Sequence, residues 1–157
     1  MSVQTTLRIL EMPAELTVPR ITFHFTVPCT LKSRKTLKAF LLKLFKAEKK
    51  SLASLSYIFC SDDYLLKINQ TYLRHDFFTD IITFDLSSSR SRLDGEIYIS
   101  VDRVKDNART HSVSFQEELH RVIFHGALHL CGYKDKSKSE AAAMRAAENK
   151  LLKAYFG

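Results

Sequence analysis

Residues 114–135, SFQEELHRVIFHGALHLCGYKD, decide how the rest of the chain is read. Apolar residues recur there at helical spacing, and His125 and His129 stand four apart, so a helix projects both imidazoles from one face, one turn apart. That is metal-ligand spacing. Ser114 followed by Glu117 fits a capping box at the helix start, and Gly132 can adopt the left-handed conformation that ends it. The chain then turns back, and Asp135 can return to the histidine face as a third, anionic ligand. Three protein ligands leave a position open for water or substrate, as a catalytic zinc site requires. The blander alternative packs both histidines in the core and uses Asp135 to cap the last helix.

Working outward, 157 residues predict one domain over 1–157, large enough to bury a core without disulfides. A content of 45% hydrophobic residues with four Gly and three Pro excludes disordered, collagenous and low-complexity classes. Cys29, Cys60 and Cys131 form no CxxC pair, and the opening MSVQTTLRILEMP has no signal-peptide pattern, so a reducing cytoplasm is expected. The apolar runs are too short for a membrane helix. Twenty-four Lys plus Arg against seventeen Asp plus Glu give +7, which favours a polyanionic partner; a solvated basic surface is the alternative.

Alternation of Ile21, Phe23, Phe25 and Val27 with polar residues predicts a strand ended by Pro28. Residues 32–48 read as a basic amphipathic helix, 52–60 as a strand, and Ser61 as the cap of a helix reaching Tyr72. A polar turn enclosing Phe77 and Phe78 leads to the strand 81–86. The small, polar segment 87–94 joins it to a strand at 96–101; that connection is too short for a crossover helix, so an antiparallel hairpin is expected. A short helix at 102–110 exposing Arg103, Lys105 and Arg109, the central helix and a terminal helix at 139–156 complete the chain. The order β-α-β-α-β-β-α-α-α implies an α+β domain: a small mixed sheet of about four strands packed with about five helices.

The spacing His-x3-His-x2-Gly-x2-Asp resembles the metzincin metalloproteases, whose general base is a Glu directly after the first histidine. Here Gly126 stands in that place, which argues against a peptidase. Glu117 and Glu118 lie about two turns upstream of His125, too far to substitute. His120 and His111 compete as third ligands, but His120 sits about 140° round the helix from His125 and faces elsewhere.

His125, Gly126, Leu128, His129, Leu130, Gly132 and Tyr133 match the signature H-G-x-L-H-L-x-G-Y-x-H of the YbeY family of ribosomal RNA maturation endoribonucleases, with Asp135 where that family usually has its third histidine. Upstream, Asn69, Tyr72 and Arg74 followed by Thr79-Asp80-Ile81-Ile82-Thr83-Phe84 are similar to its Asn…Arg…Thr-Asp-Val-Leu-Ser-Phe segment, and Gly95-Glu96-Ile97 to its Gly-Asp-Ile strand. The resemblance implies metal-dependent cleavage of single-stranded RNA in 16S 3′-end maturation and ribosome quality control, with the ribosomal small subunit as partner and no DNA. It also implies an essential role for Arg74, whose planar donors suit bidentate phosphate binding. Zinc is the expected ion, although a carboxylate in place of imidazole makes the site more tolerant of harder ions. Lys134, Lys136 and Lys138 would supply positive potential, while no side chain stands out as general base; Asp80 and Glu96 are candidates by their place in the matched strands. A non-catalytic ribosome-associated factor with a structural metal and a hydrolase of another substrate are the competing classes.

Overall fold

A computed structural model describes residues 18–157. The opening segment expected to lack a signal peptide, and with it the start of the expected 1–157 domain, lies outside the described residues. The elements are β1 (Arg20–Phe25), α1 (Arg34–Ala47), β2 (Leu52–Cys60), α2 (Asp62–Leu73), β3 (Ile81–Asp85), β4 (Leu93–Ser100), α3 (Val101–Thr110), α4 (Phe115–Leu130) and α5 (Lys138–Phe156). The fold is α+β.

One four-stranded sheet has the order β1-β2-β4-β3. β1 and β4 run parallel to β2, and β3 runs antiparallel to β4. Helices provide the crossovers that parallel neighbours need, whereas β3 and β4 form the expected hairpin. β4 begins at Leu93 rather than at Glu96: Leu93 is buried and pairs with Leu52, so the start of β2 recruits residues that look loop-like in isolation.

Alternation along β4 assigns its two faces. Gly95, Ile97 and Ile99 are fully covered on the face that receives α4, while Tyr98 packs with Phe84 and Ile82 on the other. α4 runs through the main core, burying Leu119, Ile123, Phe124 and Ala127 with Tyr57 and Phe59 of β2. Gly126 is a point of close approach: a Cβ there would lie 2.9 Å from Cδ1 of both Ile81 and Ile97. The glycine that removes the peptidase base is therefore required by helix-on-sheet packing, and position 126 faces the sheet.

Caps fix the helix ends that matter for the site. The Ser114 hydroxyl accepts a hydrogen bond from the Glu117 N–H, which starts α4. The complete capping box occurs at α5 instead, where Ser137 and Glu140 each satisfy the other's backbone N–H. Gly132 lies past the end of α4 with φ +103°, and the Tyr133 N–H returns to the Leu128 carbonyl 3.0 Å away.

Candidate metal centre

α4 holds His125 and His129 on one face, and the Gly132 turn brings Asp135 back over them. The three residues each offer a ligand atom within 4.8 Å of the others. The two Nε2 atoms are 2.9 Å apart, and Asp135 Oδ2 is 3.3 Å from each. Tetrahedral ligands about 2.0–2.1 Å from a zinc ion stand roughly 3.3 Å from one another, so these spacings match a three-ligand site.

The outward ring nitrogens assign the tautomers. Nδ1 of His125 is 2.6 Å from the Glu148 carboxylate, and Nδ1 of His129 is 3.0 Å from the Tyr133 carbonyl. Both partners only accept, so both Nδ1 atoms carry the proton of the neutral ring, and both Nε2 atoms present lone pairs to each other. With the Asp135 carboxylate added, three acceptors converge with no proton between them. A divalent cation satisfies that arrangement; in its absence a proton on His125 Nε2, which the raised pKa of that ring favours, would bridge to His129 Nε2 and Asp135.

Glu148 is the residue that sequence reasoning missed. It lies on α5 between Met144 and Leu152 at four-residue spacing, on the buried stripe of that helix. A carboxylate on an apolar stripe is a readable signal that the position has a partner. Besides His125 it accepts from Arg121 Nη1 at 3.0 Å and Arg145 Nη1 at 3.4 Å. Burial pushes its carboxyl up, but the hydrogen bonds from His125 and Arg121 and the charges of His125 and Arg145 outweigh it, holding the group below 4.5. Burial pulls His125 down, and the hydrogen bond and charge of Glu148, backed by Asp80 and Asp135, more than reverse this, placing the ring above 6.5.

The expected site residues divide clearly. His125, His129 and Asp135 line a cleft of about 630 Å³ together with Leu73, Asp80 and Lys136. Arg74 follows Leu73 directly as the C-cap of α2, exposed and in the left-handed conformation at φ 53°. Asp80 lines this cleft and a second hollow on the other side of His125; burial pushes its carboxyl up against the pull of His125, and Asn107 Nδ2 donates to it at 3.2 Å. Glu96 lies on the opposite sheet face, where it accepts from the Tyr98 hydroxyl at 2.9 Å. It is thereby removed as a base candidate.

His120 points away, as expected, and stacks on Tyr155 with ring centroids 4.9 Å apart. His111 lies 3.8 Å from Glu118, and neither histidine joins the ligand group. Arg103, expected to be exposed, instead grips both oxygens of Asp62 at 3.1 Å. Lys134 and Lys138 are exposed, with Lys136 alone of the three lysines lining the cleft.

A family model described as Endoribonuclease YbeY matches residues 26–156. A protein of that name from Cytophaga hutchinsonii is 50% identical over 122 residues, covering 78% of this chain and 85% of the relative. Another from Flavobacterium psychrophilum is 43% identical over 135 residues, covering 86% and 96%. The solution structure of a Thermotoga maritima protein superposes with a TM-score of 0.56 at 28% identity, covering 88% of this chain and 89% of that one.

Proposed function

The chain belongs to the YbeY endoribonuclease family, and on that premise we propose that it is a metal-dependent endoribonuclease specific for single-stranded RNA. In this proposal its substrate is ribosomal RNA of the small subunit, cut in 16S 3′-end maturation and ribosome quality control by a single-domain cytoplasmic enzyme. Among the described residues, no helix is long and apolar enough to cross a membrane. The observation that carries the reading is the convergence of three lone-pair donors, His125 Nε2, His129 Nε2 and Asp135 Oδ2, at the floor of an open cleft.

A divalent ion held by those atoms, zinc in the first place, would supply Lewis-acid polarisation of a phosphoryl oxygen and lower the pKa of water. The remaining chemistry belongs to the chain. Glu148 and the Tyr133 carbonyl keep both Nδ1–H groups pointing away from the cleft, so that both Nε2 lone pairs stay available. Arg74, at the cleft edge beside Leu73, binds the scissile phosphate and offsets the charge that develops on it. Asp80 is a carboxylate on the cleft wall next to His125, and the raised pKa that burial gives it suits a group that accepts a proton.

Charge around the cleft supports a nucleic-acid substrate. Past Asp85 and Leu130 the cleft adjoins an open hollow of about 820 Å³, to which Lys49, Lys50, Arg90 and Arg92 contribute. Such a lining suits a phosphodiester backbone running on from the cut.

Cleavage of a single-stranded RNA by the wild type, Arg74→Glu and His129→Ala tests the proposal. Arg74→Glu should lose on the order of 100-fold in rate, the scale set by removing one transition-state charge partner, and His129→Ala, which removes a metal ligand, should lose at least as much. Equal cleavage by all three would assign the activity to a contaminant. Product ends discriminate the nucleophile: cyclic phosphate marks attack by the internal 2′-hydroxyl, and plain phosphate marks water.

A further inference from the structure

The loop between α2 and β3 spends its aromatic residues on solvent. Phe77 is 56% exposed, Phe78 46% and neighbouring Tyr72 70%, although folding would ordinarily cover such surface. The loop's backbone is nonetheless tied down. Asn69, itself buried to 1% exposure, donates its Nδ2 to the Phe77 carbonyl at 2.8 Å, and its own carbonyl receives the His75 N–H at 3.2 Å. Gln70 Nε2 holds Asp76 at 2.6 Å. The two phenyl rings are thus presented on a fixed frame.

Each ring is also backed by a planar group. The His75 imidazole stacks on Phe77 with centroids 5.0 Å apart and planes inclined by 22°. The Arg103 guanidinium lies 4.8 Å from the centre of the Phe78 ring, and its grip on Asp62 fixes it there. A ring covered on one face and open on the other is a stacking surface.

The position of the loop connects it to the candidate centre. Leu73 immediately before it and Thr79 and Asp80 immediately after it all line the cleft that holds His125 and His129. The loop that carries Arg74 and the two rings therefore borders the cleft at both of its ends. We propose that Phe77 and Phe78 form a base-stacking platform that receives unpaired nucleobases flanking the scissile phosphate, and that this platform makes the enzyme reject duplex RNA. It rests on the endoribonuclease reading for its substrate. Unstacked bases offer free π-faces, whereas a duplex keeps its bases stacked on each other and presents only edges and backbone. Stacking is tolerant of sequence, so the platform would select strandedness rather than base identity.

The test is a set of single-stranded RNA oligonucleotides carrying 2-aminopurine at successive positions around the cut, with fluorescence read on binding and cleavage read separately. Wild-type protein should quench the probe at one or two adjacent positions. Phe77→Ala and Phe78→Ala should abolish that local quench, weaken binding about tenfold per ring and narrow the preference for single-stranded over duplex RNA. Phe77→Tyr and Phe78→Tyr should restore all three, and unfolding midpoints should stay near wild type because the rings are exposed. Alanine variants that bind, quench and discriminate like wild type would overturn the platform, whether or not RNA is cut. Position-specific quenching by a protein that cuts no RNA would keep the platform and refute the nuclease reading instead.

Discussion

Replacing Glu148 with Gln tests how the metal centre is oriented. The amide has the carboxylate's shape, so it can still accept the His125 Nδ1–H, but it carries no charge. In the wild type that bond is 2.6 Å long, and the Glu148 side chain is only 6% exposed, so water cannot take over the carboxylate's role. Loss of an outer partner to a ligating histidine typically weakens metal binding 10- to 100-fold, or about 1.4–2.8 kcal/mol. The upper part of that range is expected here, because the partner is charged, buried and directly bonded. Arg121 keeps Asn149 Oδ1 at 2.9 Å, but the new amide NH2 faces the Arg121 and Arg145 donors, so the metal-free fold loses roughly 1–3 kcal/mol. Glu148→Ala would be a poorer probe, since it removes the acceptor for His125, Arg121 and Arg145 together with the buried side-chain volume. Competition against a chromophoric zinc chelator gives the affinity, and cleavage measured across a zinc titration gives the consequence. Glu148→Gln should bind zinc at least tenfold more weakly and regain most of its activity when zinc is saturating. An unchanged affinity would refute the orienting role, and activity that saturating zinc fails to rescue would place Glu148 in the chemistry itself.

Arg74→Gly separates stability from function: the left-handed φ of 53° at that helix end favours glycine, so the variant should be as stable as wild type or up to about 1 kcal/mol more stable, yet lose cleavage. Thermal melts and RNA cleavage on the same preparation check it, and a stable, fully active variant would remove Arg74 from the site. Gly126→Ala should destabilise by about 1–3 kcal/mol, since its methyl would meet Ile81 and Ile97 at 2.9 Å; a denaturant titration with no shift would contradict the close helix-sheet contact. The pH dependence follows from the coupled pair. In the metal-free protein the raised His125 contributes stability that is full below about 6.5 and fades as pH rises through its higher folded value. The lowered Glu148 contributes stability that is full above about 4.5 and fades as pH falls through its folded value. Zinc needs the His125 Nε2 lone pair, so the gap in melting temperature between zinc-loaded and zinc-free protein should widen as pH rises from 6 to 8; a constant gap would show that His125 does not ligate.

The central helix was legible because its evidence is local. A four-residue His spacing, a capping serine and a glycine turn each act within a few residues, and the structure places them as that chemistry requires. The hairpin was legible for the same reason, as eight residues of polar loop admit no crossover. What escaped depends on contacts between distant segments. The start of β4 is set by Leu52, about forty residues earlier, and Glu96 could be separated from Asp80 only once the sheet faces were assigned. Glu148 reaches His125 across a helix pair, and its place on a buried stripe was the one trace it left in the sequence. Phe77 and Phe78 read as an aromatic pair in a turn, but the Asn69 bond that presents them outward is visible only in three dimensions.

Metal analysis of the purified protein coupled to RNA cleavage tests whether His125, His129 and Asp135 hold the ion on which cleavage depends. About one equivalent of tightly held divalent metal is expected, removed together with cleavage by a chelator, restored with it by zinc, and absent from His129→Ala. Protein that holds no metal, or that cuts single-stranded RNA undiminished after the metal is stripped, would contradict that dependence.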